Sequence, residues 1–178
     1  MINRIKEVID NQIFEIIKKR AIKNDGLLIY SNDTMGAYII WEGLAEKKIL
    51  NLIIKNLKFN PKNFSCVDVG ANIGNHSVFF SKYFSKVISF EPQNEVFKVL
   101  KLNTEKRENI SIHNFGISKN NNNNVVIRIP KNKRGMGSIN FELNDYEYFE
   151  EKIELKNYDD LFKNEVSFWC CLIIIKQL

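Results

Sequence analysis

The feature that most constrains this chain is a change of apolar period between Phe64 and His113. Phe64 to Val69 is a short apolar run of the kind that forms a strand buried on both faces. A glycine-bearing turn follows, and Asn75 to Phe84 then reads as helix. Lys86 to Phe90 is a second buried strand, Gln93 to Lys106 a helix with Val96, Phe97 and Leu100 inward, and Ile110 to His113 a third strand. Strand, helix, strand, helix, strand with short connections predicts a parallel α/β sheet.

The 178 residues suit one domain, and a hydrophobic fraction of 44% with 13 Phe supplies a core. The net charge of +5 is spread among acids, so the surface is an ordinary mixed one and no nucleic-acid partner is expected. Cys66, Cys170 and Cys171 form neither a disulfide framework nor a zinc-ligand spacing, so no metal is expected. Reduced thiols, no signal-like centre in residues 1–20 and no apolar run near the ~20 residues of a membrane span predict a cytoplasmic protein.

Upstream, Ile2, Ile5, Val8, Ile9, Ile13, Ile16 and Ile17 predict an amphipathic helix over 3–20. Leu27–Tyr30 and Ala37–Trp41 flank a Ser-Asn-Asp turn and suggest a hairpin. Together they make an N-terminal extension over 1–42, before a main domain over 43–178 that opens with a helix from about Leu44 to Leu57. Downstream, the Asn-rich stretch 119–124 reads as a solvent loop. Val125–Ile129, Ser138–Leu143 and Lys152–Leu155 read as strands, with a short helix ending around 161–164 and an apolar strand over 166–175. The Arg134–Ser138 segment reads as a hairpin turn.

The chemistry is concentrated in the first βα turn, Val67-Asp68-Val69-Gly70-Ala71-Asn72-Ile73-Gly74-Asn75-His76-Ser77. Glycines there let a ligand approach the main chain, and free N–H groups at the helix start favour a carboxylate or phosphate. Twenty-one residues after Gly70, Glu91 stands at the end of the second strand, where an acid can accept both hydroxyls of a ribose. A nucleoside-containing cofactor across the strand tips follows. A dinucleotide fingerprint counted from Gly70 would need glycine where Asn72 and Asn75 stand, which disfavours NAD and an oxidoreductase. His76 is either a general base or a packing residue, His113 and Cys66 read as structural, and adjacent Cys170 and Cys171 point to opposite faces of a strand.

Residues 41–114 resemble the FkbM-type family of S-adenosylmethionine-dependent methyltransferases. The resemblance is carried by Asp68 to Ser77 and by Phe90-Glu91-Pro92, with Glu46 and Met136-Gly137-Ser138-Ile139 in matching places. It implies a Rossmann-like class I methyltransferase sheet and S-adenosyl-L-methionine as cofactor. It implies that Gly70, Asn72 and Gly74 line the methionine end, that Glu91 binds the ribose, that Asp68 fixes the turn and the ligand amino group, and that Asn114 lies near the adenine. Ala71, Asn75, His76 and Pro92 fall inside the matched motifs and join this cofactor-binding set. The implied activity is O-methylation of a hydroxyl on a small molecule or a bacterial surface glycan, as in polysaccharide biosynthesis; no catalytic residue is assigned.

The pattern departs from the family after Tyr158-Asp159-Asp160-Leu161. The family's Lys-x-Asp-x-Glu-Gly strand end is replaced by Trp169 to Leu178, and no further strands follow. A frameshifted or truncated C-terminus, an incomplete sheet of marginal stability and an inactive cofactor-binding remnant are therefore expectations beside the enzyme reading. So is an oligomer through the N-terminal helix or the uncovered sheet edge.

Overall fold

A computed structural model describes residues 26–30, 34–131, 137–139, 147–163 and 173–175. In chain order the elements are α1 (Thr34–Glu42), α2 (Lys47–Asn56), β1 (Ser65–Val69), α3 (Asn75–Phe80), β2 (Lys86–Phe90), α4 (Asn94–Thr104), β3 (Ile110–His113), β4 (Gly116–Ser118), β5 (Asn122–Pro130), β6 (Tyr148–Asn157), α5 (Tyr158–Phe162) and β7 (Ile173–Ile175). The fold is mixed α/β and Rossmann-like. Its main sheet has the order β3-β2-β1-β7, parallel throughout.

Pleating explains how the sheet positions the site. Cys66 and Val87 face the larger core, with Leu27, Ile39, Leu50, Val78, Phe80, Phe84 and Val96. Val67, Val69, Ile88 and Phe90 face the other core, with Phe115 and the partly buried Leu161 and Phe162. Asp68 and Ser89, paired in register, share the α3 side with Cys66 and Val87 by the same alternation. The penultimate residues Asp68 and Ser89 therefore set polar groups on the α3 side, just below the strand ends Val69 and Phe90.

A second sheet has the order β4-β6-β5, with β4 parallel and β5 antiparallel to β6. Ile127, Ile129, Ile153 and Leu155 form its core.

Three expectations change. The hairpin around residues 27–41 is absent: residues 34–42 are helical, and Leu27 and Ile39 join the core that contains Leu50. The five-residue run Ala37–Trp41 is too short to show a period, so burial decided its form. The Asn-rich loop ends early, because Asn122 already pairs with Leu155 and Asn121 receives the Asn157 N–H at 2.7 Å. The strand expected from Ser138 shows only a bridge to Arg128, with 140–143 outside the described residues. The helix expected over 3–20 and Cys170–Cys171 also lie outside them. Among the described residues, no helix is long and apolar enough to cross a membrane.

Candidate functional site

The turn after β1 is built by three left-handed residues: Gly70 at φ 75°, Asn72 at 53° and Gly74 at 94°. Asn72 tolerates this because its own Oδ1 accepts the Ile73 N–H at 2.8 Å. The N–H groups of Gly70 and Ala71 both reach the Phe90 carbonyl at 2.9 Å, which binds the turn to the end of β2. Gly74 has a packing reason as well as a conformational one: a Cβ there would meet Leu100 Cδ1 of α4 at 2.9 Å.

Glu91 is 3% exposed at the tip of β2. Its Oε2 accepts the Asn72 N–H at 2.8 Å and its Oε1 accepts the Gln93 N–H at 2.9 Å. The carboxylate is thus held in one orientation by the turn on one side and its own loop on the other. The Asn114 Nδ2 donates to the carbonyls of Glu91 and Pro92, at 2.9 and 3.2 Å, and so fixes the loop that carries the carboxylate. The Glu91 N–H donates to the His113 carbonyl at 3.0 Å.

Beneath the turn, Ser89 Oγ donates to Ser77 Oγ at 2.9 Å, and Ser77 Oγ to Asp68 Oδ2 at 2.6 Å. Asp68 is buried and ties β1 to α3 from below. Asn75 and His76 reach a different partner. The Asn75 amide exchanges two hydrogen bonds of 3.0 Å with the Ala45 backbone, and His76 Nε2 lies 2.9 Å from Glu46 Oε2. His113 stacks on Phe90 at 5.0 Å between ring centroids, and burial, with Lys86 and Lys156 nearby, lowers its pKa.

The structure therefore gathers Gly70, Ala71, Asn72, Gly74, Glu91, Pro92 and Asn114 around the tips of β1 and β2, with Asp68 below and Asn75 and His76 turned toward Ala45 and Glu46. Sequence reading missed Asn103. Its Oδ1 accepts the Leu28 N–H at 2.6 Å, and its Nδ2 donates to the carbonyls of Leu28 at 3.0 Å and Ile73 at 2.7 Å. The available signal was a polar residue on the apolar stripe Val96–Leu100 of α4. Gly137 was singled out, but not its neighbour: a Cβ there would come within 3.0 Å of Gln93 Nε2. Among the described residues, no group of three His, Cys, Asp or Glu side chains is placed to hold a metal ion.

No protein-family model matches this sequence, and no curated protein matches it. Solved structures do match. The methyltransferase FkbM from Methylobacillus flagellatus KT is 17% identical, with 84% of this chain and 38% of that one covered and a TM-score of 0.37. Phosphoethanolamine N-methyltransferase 1 of Haemonchus contortus, in complex with phosphoethanolamine and S-adenosylhomocysteine, is 19% identical over 55% of this chain and 20% of that one, with a TM-score of 0.37. The 23S rRNA methyltransferase ErmE is 20% identical over 40% of this chain and 29% of that one, with a TM-score of 0.35. This chain spans 38% or less of the length of each of these three.

Proposed function

We propose that this chain is an S-adenosylmethionine-dependent methyltransferase, acting on a hydroxyl of a small molecule or a bacterial surface glycan in the cytoplasm. The observation that carries the reading is the Glu91 carboxylate, buried and oriented at the tip of β2 beside the glycine turn. That placement suits recognition of both ribose hydroxyls. Gly70, Ala71 and Asn72 present backbone at the adjoining tip of β1, and Pro92 and Asn114 keep the β2 loop in place toward β3. When bound, the cofactor supplies a methyl group activated on a sulfonium. The chain's part is to hold that group in line with the acceptor oxygen, for which positioning alone contributes several kcal/mol.

Asn75 argues against a dinucleotide. Both ends of its amide are committed to Ala45, and it fills the third fingerprint position, where glycine would allow close helix–strand packing, while Asn72 puts a side chain at the second, where the backbone would approach a pyrophosphate. Calorimetric titration of the chain with S-adenosylhomocysteine and with NADH tests the reading. Micromolar affinity for the first, lost in Glu91→Ala and weakened in Glu91→Gln, is the expected result. Preference for NADH would replace the proposal with an oxidoreductase.

A further inference from the structure

Among the described residues two non-glycine positions have positive φ, Asn72 in the turn and Glu46 at 58°. Such backbone is unfavourable for an L-residue and persists only where its surroundings impose it. Glu46 is remote in sequence from the turn, yet it is strapped to the same corner of the fold. Ala45 is clamped by the Asn75 amide, and Glu46 Oε2 lies 2.9 Å from His76 Nε2. The His76 side chain is 6% exposed and that of Glu46 49%. The imidazole is the inner support of the pair, and the carboxylate is its outward end.

We propose that Glu46, aimed by His76, is a second cofactor anchor that sets a negative charge against the cationic methionine end of S-adenosylmethionine. The inference rests on the reading above. The family resemblance puts the base near Asn114, after β3, and the methionine end at Gly70–Gly74; with ribose at the tip of β2, the amino-acid tail then lies toward β1 and the start of α3. That tail carries an ammonium and a sulfonium against one carboxylate, an excess of one positive charge. Residues 70–76 contain no acid, and Asp68 is 1% exposed beneath the turn, where it accepts from Ser77. Glu46 is joined to that end through His76, and its carboxylate reaches solvent. His76 is a positioning residue in this scheme.

The test is calorimetric titration of the whole chain with three ligands: S-adenosylmethionine, S-adenosylhomocysteine and 5′-methylthioadenosine, which lacks the charged tail. Glu46→Gln is expected to weaken S-adenosylmethionine roughly tenfold or more, as for a hydrogen bond to a charged group. It is expected to leave methylthioadenosine within about twofold, and the loss shrinks as salt is raised because the carboxylate is exposed. Equal loss for S-adenosylhomocysteine places the ammonium at Glu46; loss confined to S-adenosylmethionine places the sulfonium there. Glu46→Gly suits the positive φ and removes the charge without backbone strain, so it must repeat the pattern. His76→Asn gives a smaller loss with the same ligand order. Affinities unchanged, or lowered alike for all three ligands in both Glu46 variants, overturn the inference and leave the cofactor reading standing. A wild-type chain that binds none of the three overturns both.

Discussion

The two sheets solve the same problem of polar groups in opposite ways. Around β1 and β2 the polar side chains are inside: Asp68, Ser77, Ser89, Glu91 and Asn103 are all buried and all hydrogen-bonded. Among the described residues no buried side-chain nitrogen or oxygen lacks a partner. In the β4-β6-β5 sheet the core is purely aliphatic, and the charged pairs Arg128–Glu150, Lys131–Glu147 and Lys156–Glu154 stand in solvent. Buried polar networks are sensitive to every member, because the partner left behind is desolvated. Exposed pairs in water contribute little. The strand tips of the parallel sheet are thus specified far more tightly than the second sheet.

The largest effect that would break this contrast is at Asn103. Asn103→Ala removes three hydrogen bonds at once and strands the Leu28 N–H and the carbonyls of Leu28 and Ile73. The Ile73 carbonyl is buried and costs about 1–3 kcal/mol when left unsatisfied, while water reaches the two Leu28 groups, so the expected loss is roughly 2–4 kcal/mol in urea unfolding. Because Ile73 belongs to the glycine turn, cofactor affinity should fall with stability. A loss below about 1 kcal/mol would show that the buried network is not what fixes the turn.

Gly74→Ala comes next. At φ 94° an L-residue costs about 1–2 kcal/mol. The new Cβ also meets Leu100 Cδ1 at 2.9 Å, which forces α4 or the leucine to shift. A total of about 2–3 kcal/mol is expected by denaturant titration, and Leu100→Ala, itself costly because Leu100 is fully buried, serves as the second background of a double-mutant cycle in which the contact is gone but the strain remains. If Gly74→Ala costs as much in the Leu100→Ala background as in the wild type, close packing of the turn on α4 is not the reason for glycine at this position.

How much of this was legible from sequence follows the same division. The main sheet was readable because its strands are short apolar runs separated by helix-period segments, and β2 and β3 stand where the pattern puts them. The turn and Glu91 were readable because glycine and an acid at a strand end have few other uses. The links were not. Nothing in the local pattern says that Asn103 reaches back 75 residues to Leu28, or that Asn75 and His76 hold Ala45 and Glu46. Those contacts are set by tertiary packing, and their only trace is a polar residue on an apolar face. Residues 37–41 failed for the complementary reason: a run too short to show a period was assigned from its flanking turn, whereas packing of Ile39 into the core made it helical.

The smallest expected effect sharpens the comparison from the other side. Glu150 accepts from Arg128 Nε at 3.1 Å, with both side chains close to half exposed. Arg128 is better chosen as the residue to keep, since its guanidinium also lies 5.7 Å from the Tyr148 ring and its backbone pairs with Ser138. Glu150→Ala removes the ion pair alone. Exposed pairs of this kind contribute about 0.2–1 kcal/mol, so the urea midpoint should barely move, and the small change should vanish at high salt. Cofactor affinity should not change at all. A loss comparable to that of Asn103→Ala, persisting in high salt, would mean that the second sheet depends on its surface charges. The division between a specified strand-tip region and an apolar, loosely specified second sheet would then fail.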